Sequence, residues 1–143
     1  MYLNKRVAVV VPSYKEETQI ERVIKTMPDF VDLIVVIDDA SPKPDQTCEI
    51  VSQLAVEDSR VVLLARQENG GVGAAIEDGY VEALKRGAAV IATMAGDGQM
   101  DPKELRQRQR WRSNGLSVHR EPREHPMETR REHRREISLV VAA

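Results

Sequence analysis

At 143 residues the chain is sized for one domain with one core. Its formal net charge of −2 excludes a surface that is basic overall, so no nucleic-acid partner is expected. Cys48 is the only cysteine, which excludes an internal disulfide and fits a reducing, cytoplasmic setting. No apolar run reaches the ~20 residues of a membrane helix, and the N-terminal residues do not read as a signal peptide.

Aromatic residues make up 3% of the chain, so its apolar content is mainly Val, Ile, Leu and Ala. That suits a parallel sheet covered by helices, whose buried strands read as aliphatic runs. Residues 7–11 are a β-branched run that Pro12 should end. Thr18 and Glu21 have capping-box spacing ahead of Ile20, Val23 and Ile24, which predicts a helix start. Residues 33–37 read as the second strand, and Pro42 and Pro44 as the turn into a helix carrying Ile50, Val51 and Leu54. Residues 61–64 read as the third strand. Gly70, Gly71 and Gly73 open a helix that Gly87 should end. Residues 89–94 read as the fourth strand, and Asp101-Pro102 as the start of a further helix. Strand and helix in alternation predict right-handed crossovers and a Rossmann-like parallel sheet ordered 3-2-1-4, with helices on both faces.

Ligands of such sheets bind beyond the strand carboxyl ends. Asp97 and Gln99 are alternate oxygen donors after the fourth strand. In extended backbone they would point one way and suit a hard cation such as Mg²⁺ or Mn²⁺. Gly-Asp-Gly is equally good turn chemistry. Of Asp38 and Asp39, one is expected to cap the next helix and the other to accept from a base or ribose. Glu16 and Glu17 read as ribose acceptors or as acids favoured at a helix start. The glycines at 70, 71 and 73 follow the third strand. A dinucleotide fingerprint needs them after the first, so tight helix–sheet packing is the expected reason for them.

Four segments taken in order resemble family 2 glycosyltransferases, most nearly the polyprenyl-phosphate mannose or glucose synthase branch. They are Val10-Val11-Pro12-Ser13-Tyr14-Lys15-Glu16-Glu17, Val36-Ile37-Asp38-Asp39-Ala40-Ser41, Asn69-Gly70-Gly71-Val72-Gly73-Ala74-Ala75 and Gly96-Asp97-Gly98-Gln99-Met100-Asp101-Pro102. The resemblance implies a GT-A fold that binds a nucleoside diphosphate sugar and moves the sugar, with inversion, to an acceptor such as a polyprenyl phosphate at a membrane surface. It implies that Pro12, Tyr14 and Glu16 line the base and ribose, that Ile37 and Asp39 contact the base, and that Gly96 and Asp97 face the ribose and diphosphate. Asp97 and Gln99 would hold a divalent Mg or Mn ion. Two positions depart from the family pattern: Lys15 stands where Asn is usual, and Ala95 where an Asp usually opens the Asp-x-Asp signature. The alternative is therefore a non-catalytic remnant that at most binds nucleotide weakly.

Composition changes near Leu105. Residues 1–105 carry a formal charge of −7, while 106–143 carry +5 from ten Arg and five Glu, with no Lys or Asp. Two regions are expected: 1–105 as the nucleotide-sugar-binding half, and 106–143 as an Arg/Glu-rich, disordered tail of the kind an out-of-frame translation would produce. Gln107-Arg108-Gln109-Arg110-Trp111 spells a string found in processive family members, but it comes too early in the chain and reads as chance. His119, His125 and His133 lack metal-like spacing.

Overall fold

The computed structural model describes residues 4–99, 101–102, 105 and 138–141. In chain order the elements are β1 (Val7–Ser13), α1 (Ile20–Lys25), β2 (Leu33–Asp38), α2 (Thr47–Glu57), β3 (Val61–Ala65), α3 (Val72–Lys85), β4 (Val90–Thr93) and β5 (Ser138–Val141). The sheet order is β3-β2-β1-β4-β5. The first four strands are parallel in the expected order 3-2-1-4, with Val10 opposite Val35 and Thr93.

Alternation along the strands sorts the core into two layers. Val9, Val11, Ile34 and Val36 face α1 and α2, where Ile20, Val23, Ile24, Val51 and Leu54 complete the cluster. Ala8, Val10, Val35 and Ile37 face α3 through Ala75 and Ala83. β1 and β2 are buried along their whole length, as central strands covered on both sides must be. The helices therefore do lie on both faces.

Several local expectations are corrected. Pro12 does not end β1, which runs to Ser13. Pro12 sits in register opposite Ile37, and its carbonyl still accepts from the Gly96 amide. Thr18 and Glu21 form no capping box. Gln19 is the N-cap of α1 without a side-chain bond, and the chain enters through a turn on the Glu16 carbonyl, which accepts from the Gln19 and Ile20 amides. Gly87 ends α3 as expected. At φ +81° its amide donates to the Leu84 carbonyl and that of Ala88 to Ala83, the paired bonds of a Schellman turn. The close helix–sheet approach is at Gly79 rather than at residues 70–73. A Cβ at Gly79 would meet Val10 Cγ1 at 2.4 Å and Ile37 Cδ1 at 2.6 Å, whereas at Gly71 and Gly73 it would meet nothing.

The C-terminal part is not wholly apart from the sheet. Ser138–Val141 pairs antiparallel with β4, Val90 opposite Val141 and Thr93 opposite Ser138. An aliphatic Leu-Val-Val sequence beside the open edge of β4 accounts for the pairing. The expectations for the rest of the tail, residues 106–137, lie outside the described residues. Of the helix expected from Asp101-Pro102, Leu105 is helical, donates its amide to the Pro102 carbonyl and joins the α1/α2 core layer.

Candidate nucleotide-sugar site

The carboxyl ends of β1, β2 and β4 converge on one rim, and their loops are stitched together. The Lys15 amide donates to Ser41 Oγ at 2.9 Å and the Glu16 amide to the buried Thr47 Oγ1 at 3.0 Å. Glu17 Oε2 accepts from the Gln46 amide at 3.0 Å. Of the two acids after β1, Glu17 thus braces the start of α2, and Glu16 is the one left to face the rim. Lys15 and Ala40 take left-handed backbone, φ 54° and 58°, so each loop turns sharply at its strand end. Tyr14 is 41% exposed, and the Lys15 ammonium lies 5.3 Å from its ring centroid.

Neither aspartate after β2 caps a helix. Asp38 accepts from the Ser41 amide and hydroxyl at 3.0 and 2.6 Å, which closes the β2–α2 turn. Asp39 is 4% exposed and is held by three donors. Oδ1 accepts from Arg66 Nη1 at 2.7 Å and the Gly70 amide at 3.0 Å, and Oδ2 from the Gly71 amide at 2.8 Å. Burial pushes this carboxyl's pKa up, but the Gly70 and Gly71 amides and the Arg66 guanidinium outweigh it and hold it below the usual carboxylate range. Arg66 is held in turn by Asp78 of α3, Nε to Oδ2 at 2.9 Å. The Gly70-Gly71 amides are therefore committed to Asp39 rather than to a phosphate, and Gly71, at φ +87°, supplies the backbone this requires. A groove of about 560 Å³ between the end of β3 and α3 shares Arg66 and Asp78 with this lock but does not include the rim residues of β1, β2 and β4.

Gly96 lies against β1, where a Cβ would stand 2.7 Å from Ser13 Oγ. Asp97-Gly98-Gln99 is a turn and not an extended pair. Asp97 Oδ1 accepts from the Gln99 amide at 3.0 Å, Gly98 is at φ +72°, and Arg22 Nη2 donates to the Gly98 carbonyl at 3.1 Å. The turn chemistry of Gly-Asp-Gly prevails, so Asp97 and Gln99 do not reach out side by side as the extended reading required. Glu16 reports the local field: its pKa is raised by partial burial first, then by the negative charges of Asp97 and Asp45. Carboxylates from three loops thus share the rim. Among the described residues no three His, Cys, Asp or Glu side chains gather into a metal cage. The oxygens present fit a hard cation shared with phosphate oxygens, which needs only one or two protein carboxylates.

Sequence reading found Pro12, Tyr14, Glu16, Ile37, Asp39, Gly96, Asp97 and Gln99 on these strand ends. It missed Arg66, Thr47 and Asp78. An Arg one residue past β3, opposite the second Asp of Asp38-Asp39, was the available signal for the first. Nothing in the local pattern marks the other two.

The glycosyl transferase family 2 profile matches residues 8–136, past the change of composition near Leu105. Polyprenol monophosphomannose synthase of Mycolicibacterium smegmatis is 35% identical over 107 residues, covering 71% of this chain and 39% of that protein. UDP-N-acetylglucosamine–dolichyl-phosphate N-acetylglucosaminyltransferase of Methanococcus voltae is 28% identical over 115 residues, 71% of this chain and 45% of that protein. The chain thus spans less than half the length of these curated relatives. Among solved structures, the mannosyltransferase PcManGT from Pyrobaculum calidifontis, in complex with GDP-Man and Mn²⁺, superposes with a TM-score of 0.55 at 25% identity, over 67% of this chain and 28% of that one. The fold is accordingly that of the GT-A glycosyltransferases, and the chain belongs to glycosyl transferase family 2.

Proposed function

We propose that residues 1–105 form the donor half of a glycosyltransferase that moves a sugar from a nucleoside diphosphate sugar to an acceptor, with inversion. The observation that carries this is the shared rim, where the loops after β1 and β2 are hydrogen-bonded together and Glu16 lies within the field of Asp97 and Asp45. Such a rim calls for a hydroxyl-rich ligand, a cation or both. Pro12 and Tyr14 form the base end, with Asp39 accepting from the base, while Ile37 is buried in the α3 core layer and holds the β2 end rather than touching the ligand. Glu16 accepts from ribose hydroxyls, and Gly96 lets the diphosphate approach the backbone. Asp97 is the carboxylate at the β4 end that would hold a divalent cation together with diphosphate oxygens, and the cation would neutralise charge developing on the leaving nucleoside diphosphate.

The acceptor oxygen attacks the anomeric carbon from the face opposite the diphosphate. As the new C–O bond forms, the bond to the diphosphate oxygen breaks and its electron pair leaves with the nucleotide. A polyprenyl phosphate acceptor is already ionised and needs no strong general base. The relatives named for polyprenol and dolichyl phosphate support that acceptor class, and a lipid acceptor of that kind would bring the site to a membrane surface. Among the described residues no helix is long and apolar enough to cross a membrane.

Ala95 favours a second reading, a site that binds nucleotide but no longer transfers, because one carboxylate of the donor end is absent. Sugar transfer to a polyprenyl phosphate, measured beside calorimetric nucleotide binding with and without Mn²⁺, separates the two. Binding with transfer supports the enzyme, binding without transfer supports the remnant, and binding that ignores the metal contradicts the Asp97 assignment.

A further inference from the structure

Arg22 is an exposed side chain of α1 whose polar contact is with a loop rather than with an acid. Its Nη2 donates to the Gly98 carbonyl at 3.1 Å, and among the described residues no carboxylate pairs with it. The helix beneath it is fixed: Ile20, Val23 and Ile24 are buried in the same core layer as Ala92 of β4 and Met94 just beyond it.

The turn that Arg22 reaches is the one that carries Asp97. Asp97 Oδ1 accepts from the Gln99 amide at 3.0 Å, so the carboxylate is bound to its own turn and goes where the turn goes. At one end the turn rests on Gly96, where a Cβ would meet Ser13 Oγ at 2.7 Å and Ile20 Cδ1 at 3.1 Å. At the other, Gly98 at φ +72° lies against α1, and a Cβ there would meet Arg22 Nη2 at 2.7 Å and Gln19 Oε1 at 2.8 Å. The same helix sets Glu16, whose carbonyl accepts the Gln19 and Ile20 amides at the helix entry. Carboxylates gathered on one rim repel each other, and the Arg22 bond ties the Asp97 turn to α1 against that push.

We infer that Arg22 is a positioning residue of the donor site: by holding the Gly98 carbonyl it fixes the Asp97 carboxylate where a divalent cation shared with a diphosphate needs it. The inference rests on the proposed donor site and its Asp97 assignment. Ala95 brings no carboxylate of its own, so the grip on a cation at the β4 end depends on how Asp97 is placed.

The test is calorimetric titration of the full chain with UDP and with GDP, each with and without Mn²⁺, and the quantity read is the gain in affinity that Mn²⁺ confers. Arg22→Met is expected to cut that gain about three- to tenfold, the effect of one ordinary hydrogen bond, while metal-free affinity stays within about twofold. Arg22→Lys keeps a donor on the helix and should restore part of the gain. Gly98→Ala puts a Cβ into the Arg22 contact at a positive φ and should cut the gain with Arg22 still present. In the metal-free chain, the Gly98 and Gln99 amide resonances should move in Arg22→Met and that of Asp39 should not. A Mn²⁺ gain that Arg22→Met leaves whole overturns the inference. So does an equal loss with and without Mn²⁺, which would mean that Arg22 touches the nucleotide itself. Both results leave the donor site standing. No Mn²⁺ gain in the unaltered chain overturns the Asp97 assignment, binding of neither nucleotide overturns the donor site, and the inference falls with either.

Discussion

Replacing Asp39 with asparagine isolates the lock between the β2 end and the β3–α3 loop. Three donors converge on the native carboxylate within 2.7–3.0 Å. An asparagine of the same shape keeps one oxygen and turns an NH2 toward at least one of those donors. Leaving a buried donor unmet costs roughly 1–3 kcal/mol. Arg66 also loses its charged partner but keeps Asp78, so the full ~3–5 kcal/mol of breaking a buried pair is an upper bound. The expected loss is about 2–4 kcal/mol, or roughly 6–15 °C in thermal midpoint for a chain of this size. Thermal unfolding followed by circular dichroism at neutral pH measures it, and a double-mutant cycle with Arg66→Met should show the pair coupled by about 1 kcal/mol or more. The pH dependence has a definite sign. Because the folded-state pKa of Asp39 is depressed, its contribution is present above the ordinary carboxylate range and is lost as pH falls through the lower folded value. The variant should lack that share of the acid limb. A loss under about 0.5 kcal/mol, the range of surface substitutions, with an unchanged acid limb, would refute the lock.

Three further outcomes are expected. Gly79→Ala drives a Cβ to 2.4 Å from Val10 in a fully buried layer. The overpacking cost of ~1–3 kcal/mol exceeds the ~1 kcal/mol gained in helix propensity, and urea unfolding should show a net loss. Ala95→Asp should tighten metal-dependent nucleotide binding about ten- to a hundredfold by adding one charge-assisted bond, and unchanged affinity in calorimetry would mean that position 95 does not face the donor. Glu16→Gln should stabilise the free protein slightly at neutral pH while weakening nucleotide binding. The raised Glu16 pKa means that its protonated form favours folding, an advantage lost as pH rises through the folded value, and Gln mimics that form. Because the rim is open to water the gain is on the order of a few tenths of a kcal/mol, so paired unfolding and binding curves are needed to see the opposed signs.

What the sequence disclosed follows from what is local in it. Aliphatic runs such as 33–37 and the glycine at 87 state their roles within a few residues, and so the strand order and the end of α3 were legible. The rim motifs were legible for the same reason: each is contiguous at one strand end. The lock was not, because Asp39 and Arg66 are 27 residues apart and meet only when β3 pairs with β2. Gly79 was passed over because it sits in a helix, where the pattern shows only a propensity penalty. Its reason for being glycine lies on β1 and β2. The run at 70–73 drew attention by its density, and its first two glycines proved to serve Asp39 instead. At Asp97-Gly98-Gln99 two readings were open, and the positive φ of Gly98 decided for the turn. The fifth strand follows a long stretch of charged residues, and a short apolar run at such a distance does not name its partner.

The central claim, a nucleotide-sugar site on the carboxyl ends of β1, β2 and β4, is tested most directly by amide NMR of the labelled chain titrated with a nucleoside diphosphate and Mg²⁺. The account predicts shifts concentrated at Tyr14, Lys15, Glu16, Asp39, Gly96, Asp97 and Gly98, larger with Mg²⁺ than without. Shifts confined to the β3–α3 groove around Gln67, Glu68 and Lys85, or none at millimolar nucleotide, would contradict it.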